Sequence, residues 1–302
     1  MSDADRLERN FHELVRADNE GGSEVRLETR ALAHAKHALD LQDAGQASTR
    51  VRNRLYYLAS AFTGTALWAA VDGQEPKRAQ RHLQRAMQLA GMAGSSEMQM
   101  RLWGHATLLS FQEQHLRDAL AAAEAGRRSH ACRKDPLYRA LANARLGGIQ
   151  SAIGDERATL RAFDNSVQAY EIADPQAERP SWIGFFDRAE LEGLSALAKA
   201  RLGRHAESEA HLYRALGKLR PEYRRNRTYY GVHLALAQLA QEEVEQACAT
   251  IAAFLPGTGE PKLSGRTFRW VRKFDLKLSR LAPGSKFAAE MKDRLTEGER
   301  KS

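Results

Sequence analysis

The feature that most restricts the fold of this sequence is a short pattern that returns about every 40 residues. A small residue is followed four positions later by a bulkier one and seven positions later by another small one. The copies are Ala79/Leu83/Ala86, Ala119/Ala123/Gly126, Thr159/Phe163/Ser166, Ser208/Leu212/Ala215 and Ala247/Ile251/Phe254, the last ending in a bulky residue. Their first residues lie 40, 40, 49 and 39 positions apart, and a weaker copy, Ala31/Ala35/Ala38, begins 48 positions before the first. Offsets of four and seven lie on one face of an α-helix, so the pattern predicts a helical repeat.

The clearest copy lies in two amphipathic helices, Leu191–Leu202 and Ala206–Leu219, which are separated by Gly203 and end before Pro221. One such pair cannot bury its apolar stripe alone, whereas stacked pairs form a continuous core. Aromatic residues make up only 7% of the chain, which favours closely packed helices over a sheet. We therefore predict an all-α fold, a right-handed superhelix of about five helix-turn-helix repeats with capping helices.

Three segments are expected along the chain. Residues 1–20 form a short N-terminal helix, residues 21–256 form the repeats, and residues 257–302 form a capping helix and a charged tail. The capping helix is expected at Phe268–Leu281, where apolar residues follow helical spacing within a basic segment. A repeat array of this length needs only one continuous stack, because each repeat packs on its neighbours.

The 49-residue step contains an insertion at residues 172–183, which maps to a loop on one edge of the stack. The densest aromatic group in the chain, Trp182, Phe185 and Phe186, lies at the end of this insertion. One interpretation is that these rings fill the wider gap left by the insertion. The other is that they contact a ligand, while the insertion itself could serve as a lid or an oligomer contact.

The charge and cysteine content indicate the protein's surroundings. The net charge of +8 comes from arginines dispersed along the chain, which is typical of a solvated surface rather than a nucleic-acid interface. The two distant cysteines, Cys132 and Cys248, fit a reducing compartment. No apolar run approaches the roughly 18 residues of a membrane span. A cytoplasmic protein without membrane contact is expected.

No pattern of catalytic or metal-binding residues is present in the sequence. His34 and His37 share a helix face but lack a third ligand, and Gly257-Thr258-Gly259 lacks the lysine of a phosphate-binding loop. Serine, histidine and aspartate occur singly on helix surfaces, so no nucleophile is placed beside a base. We expect neither an enzyme nor a cofactor.

Several short segments resemble known repeat proteins. Positions of the tetratricopeptide repeat are matched by Leu146-Gly147, Gly154-Asp155, Phe163, Leu202-Gly203 and Ala215-Leu216, although a step near 40 exceeds that family's 34. A more specific similarity is carried by Arg52–Tyr56, Ser181–Asp187, Ala189–Leu191, Arg225–Arg227 and Leu234-Ala235. These segments resemble the C-terminal repeat region of bacterial helix-turn-helix regulators, from about Gly21 to Leu281.

That resemblance implies a transcription-related module that senses a ligand or a partner. In those regulators a DNA-binding domain precedes the repeats, whereas here only about 20 residues precede the first repeat helix. We therefore expect a free-standing relative or a piece of a longer protein. We expect weak DNA binding without sequence preference, because no recognition helix is present.

A candidate ligand surface follows from one position of the repeat. The residue 15 places before each repeat mark lies on the inner side of the first helix, and four of these five residues are Gly or Ala: Gly64, Gly104, Ala144, Gly193 and Val232. Glycine within a helix costs about 1 kcal/mol relative to alanine, so the missing side chain needs a reason. Residues one turn away that would line the same surface are Trp68, Arg101, Leu108, Glu190, Leu197 and Tyr229.

Two explanations of the small residues remain open at this point. Either the neighbouring helices touch there, or a groove holds a peptide, a small molecule or a protein partner. On the groove hypothesis, Gly104→Leu and Gly193→Leu are expected to keep the fold and to abolish binding. A different function, as a scaffold or homodimerisation module acting through the outer face or the insertion, is the alternative.

Overall fold

The computed structural model describes residues 2–21, 25–45, 48–255, 265–284 and 286, and within these residues every regular element is helical. The predicted all-α fold is confirmed. The helices are α1 Asp3–Gly21, α2 Val25–Ala44, α3 Thr49–Asp72, α4 Pro76–Ala93, α5 Ser96–Gln112, α6 Leu116–Arg128, α7 His130–Lys134, α8 Pro136–Ile153, α9 Glu156–Glu171, α10 Arg188–Arg201, α11 His205–Lys218, α12 Arg224–Leu239, α13 Val244–Phe254 and α14 Gly265–Leu281, with a 3₁₀ turn at Ser181–Ile183.

The chain divides into two compact units, Met1–Asp187 and Arg188–Ser302. In unit 1, α3 packs on α4, α5 on α6, and α8 on α9, while the first helices α3, α5 and α8 also pack side by side. In unit 2, α10 packs on α11 and α12 on α13, and α14 packs on α12. Each unit is therefore built from helix pairs of the kind that the periodicity predicts.

The small residues that mark the repeat are buried among packed helices. Ala79 and Ala119 are 0% exposed and Thr159 is 1% exposed in unit 1, and Ser208 and Ala247 are 1% and 0% exposed in unit 2. A larger side chain at these positions would push the paired helices apart. The spacing of the marks therefore reports the spacing of the helix pairs.

Serine hydroxyls hold two of these pairs together inside unit 1. Ser60 Oγ on α3 donates to the Ala86 carbonyl on α4 at 2.9 Å. Ser166 Oγ on α9 donates to the Ala140 carbonyl on α8 at 2.7 Å. Both acceptors and both hydroxyls are buried, so each bond satisfies groups that would otherwise be costly to bury.

The turn within every helix pair contains one residue in the left-handed backbone region, five positions before the repeat mark. The residues and their φ angles are Gln74 (61°), Gln114 (65°), Gly154 (89°), Gly203 (76°) and Glu242 (65°). A left-handed residue ends an α-helix and reverses the chain direction within a few residues. The turns of the two units thus share one backbone geometry even though only two of the five residues are glycine.

The N-terminal helix and the insertion meet on unit 1. Helix α1 packs on α3 and also contacts the 3₁₀ turn. Trp182, Ile183 and Phe186 are buried. Arg179 fixes the insertion to the start of α8, because its Nε and Nη2 donate to the two carboxylate oxygens of Asp135 at 2.6 and 3.0 Å. Trp182 and Phe186 are thus part of the packed core of unit 1, as the gap-filling interpretation expects, whereas Phe185 is partly exposed.

Helix α14 covers the last helix pair of unit 2. Val271, Phe274 and Leu278 are buried, whereas Leu281 is largely exposed. The tail predicted after this helix and the loop at 257–264 lie outside the described residues. Both cysteines are buried and form no disulfide. Within the described part of the chain, no helix combines the length and the apolar character needed to cross a bilayer.

Candidate functional site

Six of the sequence-predicted site residues lie together on the first helices of unit 1. They are Gly64 and Trp68 on α3, Arg101, Gly104 and Leu108 on α5, and Ala144 on α8. Helix α5 contacts both α3 and α8. Of these residues, Gly64 lies against Arg101, whose Nη1 would be 3.5 Å from a Cβ atom there.

Arg101 is buried at the part of this surface that α1 and the insertion cover. Its side chain is only 6% exposed, and its guanidinium carbon lies 5.7 Å from the ring centre of Phe11 and 5.6 Å from that of Trp182. Nη1 donates to the Ala61 carbonyl and Nη2 to Thr65 Oγ1, both at 3.1 Å. These contacts are with neutral groups, and burial lowers the pKa of Arg101 to about 10. We refer to Phe11, Arg101 and Trp182 as the Arg101 cluster.

Tyrosine rings surround the Arg101 cluster. Tyr138 stacks on Trp182 with ring centres 5.6 Å apart, and its buried hydroxyl has no hydrogen-bond partner in the described residues. Burial raises the pKa of Tyr138 and raises that of Tyr57 to about 12, so both are neutral. The rings around Arg101 are therefore neutral, and the charges that act on its guanidinium are those of Asp18 and Arg145.

His105, which the sequence analysis missed, lies one turn beyond Arg101 on α5. It is 6% exposed, and neither ring nitrogen has a hydrogen-bond partner in the described residues. The ring packs on Trp68 with centres 5.5 Å apart. Burial, and then the charges of Arg101 and Arg145, hold its pKa well below the usual value, so the imidazole is neutral. Its position four residues after Arg101 was the available sequence signal.

Side chains of the next helix fill the space beside the glycines on this surface. The guanidinium of Arg145 on α8 lies directly over Gly104, so that a Cβ atom there would overlap it. A Cβ atom on Gly64 would lie 3.3 Å from Leu102 Cδ2 and 3.5 Å from Arg101 Nη1. Arg145 is partly exposed, as are Trp68 and Leu108, so this end of the surface is open to solvent.

The other five predicted residues lie in unit 2: Glu190, Gly193 and Leu197 on α10, and Tyr229 and Val232 on α12. The ring of Tyr230 on α12 lies over Gly193 on α10 too closely to leave room for a Cβ atom, and its hydroxyl donates to Glu190 Oε2 at 2.8 Å. Tyr229 lies 4.6 Å from the His233 ring and 4.4 Å from the Arg266 guanidinium carbon. Helix packing thus explains why residue 193 is small. This contact contradicts the expectation that Gly193→Leu keeps the fold.

A buried carboxylate joins α10 to α11 in the same unit. Glu192 accepts hydrogen bonds from His211 Nδ1 at 2.7 Å, Arg214 Nε at 3.0 Å and Arg188 Nε at 3.1 Å. Burial opposes its ionisation, but the bonds from Arg214 and His211 outweigh burial and lower its pKa. No group of three or more His, Cys, Asp or Glu side chains in the described ranges is arranged to hold a metal ion.

Comparisons with known proteins show similarity of structure but not of sequence. No family model matches the sequence, and no curated protein matches it. A crystal structure of a Signal Transduction ATPase with Numerous Domains (STAND) protein with a tetratricopeptide repeat sensor, from Pyrococcus horikoshii, superposes with a TM-score of 0.48 at 11% sequence identity. The alignment covers 97% of this chain and 47% of that one, so the chain spans about half the length of the solved protein.

Proposed function

We propose that unit 1 is a non-catalytic binding module and that its ligand surface is the open end of α3, α5 and α8. This surface, which we name the His105 face, consists of Trp68, His105, Leu108 and Arg145. The observation that carries the proposal is the buried imidazole of His105, whose two nitrogens lack partners next to two guanidinium groups. A buried polar group without a hydrogen bond costs free energy, and a ligand that supplies the bond recovers it.

The chemistry of the His105 face favours a ligand with a carboxylate beside an apolar group. A neutral imidazole donates one hydrogen bond, and a guanidinium binds a carboxylate through two parallel bonds. Trp68 and Leu108, both partly exposed, offer apolar contact next to these donors. A peptide or protein segment with an acidic side chain or a free C-terminus combines both features.

The wider role that we infer is that of a sensor or interaction module in a cytoplasmic regulatory protein. The support is the resemblance of the sequence to the repeat regions of bacterial regulators, together with a fold of stacked helix pairs. The alternative role is a homodimerisation scaffold. In that role the second copy would bind to the outer face or to the insertion rather than to the His105 face.

Peptide capture tests this proposal. The purified chain is incubated with a random peptide mixture in two forms, one with free C-termini and one with amidated C-termini. We expect acidic peptides and free C-termini to be enriched. We expect His105→Phe and Arg145→Gln to weaken binding at least about tenfold, or about 1.4 kcal/mol. Arg117→Gln, at an exposed position on α6, serves as the charge-matched control. Equal capture of amidated neutral peptides, or equal losses in the control, would contradict the proposal.

A further inference from the structure

A cavity in unit 1 is lined by none of the four residues of the His105 face and has a different chemistry. Its volume is about 410 Å³, and it is formed by the end of α6, by α7, and by facing sides of α8 and α9. Its lining consists of Arg127, Cys132, Arg133, Arg139, Asn143, Asn165, Gln168, Ala169 and Ile172. We refer to it as the arginine pocket. A volume of this size lies within the range of small-molecule sites.

The charges in the arginine pocket all have the same sign. Arg127, Arg133 and Arg139 contribute three guanidinium groups, and no carboxylate is part of the lining. The carboxylate of Asp135, at the start of α8, attracts Arg139 electrostatically, but its two oxygens accept hydrogen bonds from Arg179. Like charges that converge on one cavity repel each other, and a bound anion relieves that repulsion.

The partners of the three arginines leave most of their donors available. Arg133 donates from Nη1 to the Arg128 carbonyl at 2.8 Å. Within the described ranges, the side chains of Arg127 and Arg139 make no hydrogen bond or ion pair. A guanidinium carries five N–H donors in a planar fork, which matches the oxygens of a phosphate. The three side chains therefore have charged donors available to a ligand in the pocket.

The neutral residues of the arginine pocket define the rest of the ligand. The side-chain amides of Asn143, Asn165 and Gln168 can both donate and accept hydrogen bonds, as hydroxyl groups or a heterocycle require. Ile172 is 67% exposed and, together with Ala169, provides apolar surface at the same cavity. A phosphate group joined to a small polar and apolar body is complementary to this lining.

We propose that the arginine pocket binds a small phosphorylated metabolite, with its phosphate held by Arg127, Arg133 and Arg139. The occupant is a small molecule rather than a nucleic-acid strand, because the arginines converge on one cavity instead of following a stripe across the surface. This site does not depend on the His105 face, and either site stands if the other fails.

Thermal-shift measurements and calorimetry at low salt test the proposal with inorganic phosphate, pyrophosphate and adenosine monophosphate as probes. We expect a saturable rise in Tm with pyrophosphate and adenosine monophosphate. We expect Arg139→Gln and Arg127→Gln to weaken binding at least tenfold while the Tm without ligand stays constant or rises, because repulsion within the pocket is reduced. Arg161→Gln, an exposed position on α9 outside the pocket, should bind like the unmodified chain.

A second variant keeps the test independent of the arginines. Asn165→Asp places a negative charge at an exposed position in the lining and should weaken pyrophosphate binding without unfolding the protein. Three results would overturn the proposal. They are a lack of saturable binding of every probe, equal losses in Arg139→Gln and Arg161→Gln, and tighter Arg139-dependent binding of duplex DNA or of a phosphoserine peptide than of adenosine monophosphate.

Discussion

At the scale of single residues, the repeat depends on one backbone conformation in the turn of each helix pair. Gln74 and Gln114 adopt the left-handed conformation that Gly154 and Gly203 adopt in the corresponding turns of other helix pairs. Their side-chain amides donate back to carbonyls three residues earlier, at 3.4 Å to Val71 and 3.2 Å to Phe111. These bonds offset part of the cost of the left-handed region for a residue with a Cβ atom.

Gly203→Ala should destabilise unit 2 by about 1–2 kcal/mol, because the left-handed conformation is unfavourable for alanine. No neighbouring atom lies within 4 Å of a Cβ atom at this site, so the loss would be one of backbone conformation alone. Gly217→Ala is the matched control. Its site in α11 is equally open, but the backbone is helical, so a gain of up to about 1 kcal/mol is expected. Chemical denaturation measures both, and equal effects in the two variants would contradict this explanation.

Buried neutral histidines make stability depend on pH. Burial holds the pKa values of His105 and His233 well below the usual value, so the folded protein binds fewer protons than the unfolded chain. Their contribution is complete above the unfolded pKa of about 6.5 and falls by up to about 1.4 kcal/mol per histidine for each pH unit below it. Tm should therefore decrease from pH 7.5 to 5.5.

Replacing these histidines should reduce that decrease. His105→Phe or His233→Phe removes one titrating group and keeps a ring in the aromatic contacts. The exposed His130, replaced by Gln, is the control. Thermal melts at both pH values decide the matter, and an unchanged difference in Tm in the two Phe variants would show that other groups cause the acid sensitivity.

At the scale of helices, the small residues of the first helices are explained by the side chains of the next helix. The two best examples differ in how easily those side chains can move. Over Gly193 lies the ring of Tyr230, which is held by its bond to Glu190. Over Gly104 lies the end of the Arg145 side chain, which is long and flexible.

Gly193→Ala should therefore cost more stability than Gly104→Ala. The first substitution forces a ring and its hydrogen bond to shift, for which about 1–3 kcal/mol is typical of an overpacked site. The second requires only another rotamer of Arg145, and the gain in helix propensity offsets part of its cost. Urea denaturation of both variants measures the difference. A larger loss at Gly104 would mean that Arg145 is fixed in its position over the helix.

The sequence predicts only part of the candidate site. Spacing along α3 and α5 predicts that Trp68, Arg101 and Leu108 line one surface, because the helical period is fixed. It cannot tell whether Gly193 adjoins a ligand or a ring, because the Tyr230 ring comes from a helix whose register the sequence leaves open. The Arg101 cluster could not be predicted either, since Phe11 and Trp182 approach α5 from distant parts of the chain.

At the scale of the whole molecule, the repeat period predicted the helix pairs because small residues are needed wherever two helices touch. It did not predict the short helix α7 or the contact between α1 and the 3₁₀ turn. In an ideal repeat array each repeat contacts only its neighbours, so deleting one repeat shortens the fold. Unit 1 departs from that rule, since its first helix and its last turn meet at Arg101.

Trp182→Ala should consequently destabilise unit 1 as a whole. Removing a buried tryptophan costs about 3–5 kcal/mol, and here the loss includes the contacts with Arg101 and Tyr138. Phe185→Ala removes a partly exposed ring from the same insertion and should cost clearly less. Denaturation followed by circular dichroism tests this. If Trp182→Ala changed stability no more than Phe185→Ala, the insertion would not be part of the unit 1 core.

The Arg101 cluster also imposes an order on the synthesis of the protein. Arg101 leaves the ribosome well before Trp182, and at about 5–20 residues per second the interval between them is roughly 4 to 16 seconds. During that interval the nascent helices expose an arginine and aromatic rings that the finished protein buries. Unit 1 therefore completes its folding only after the inserted segment has been translated, and chaperones that recognise exposed aromatic surface have a defined period in which to bind it.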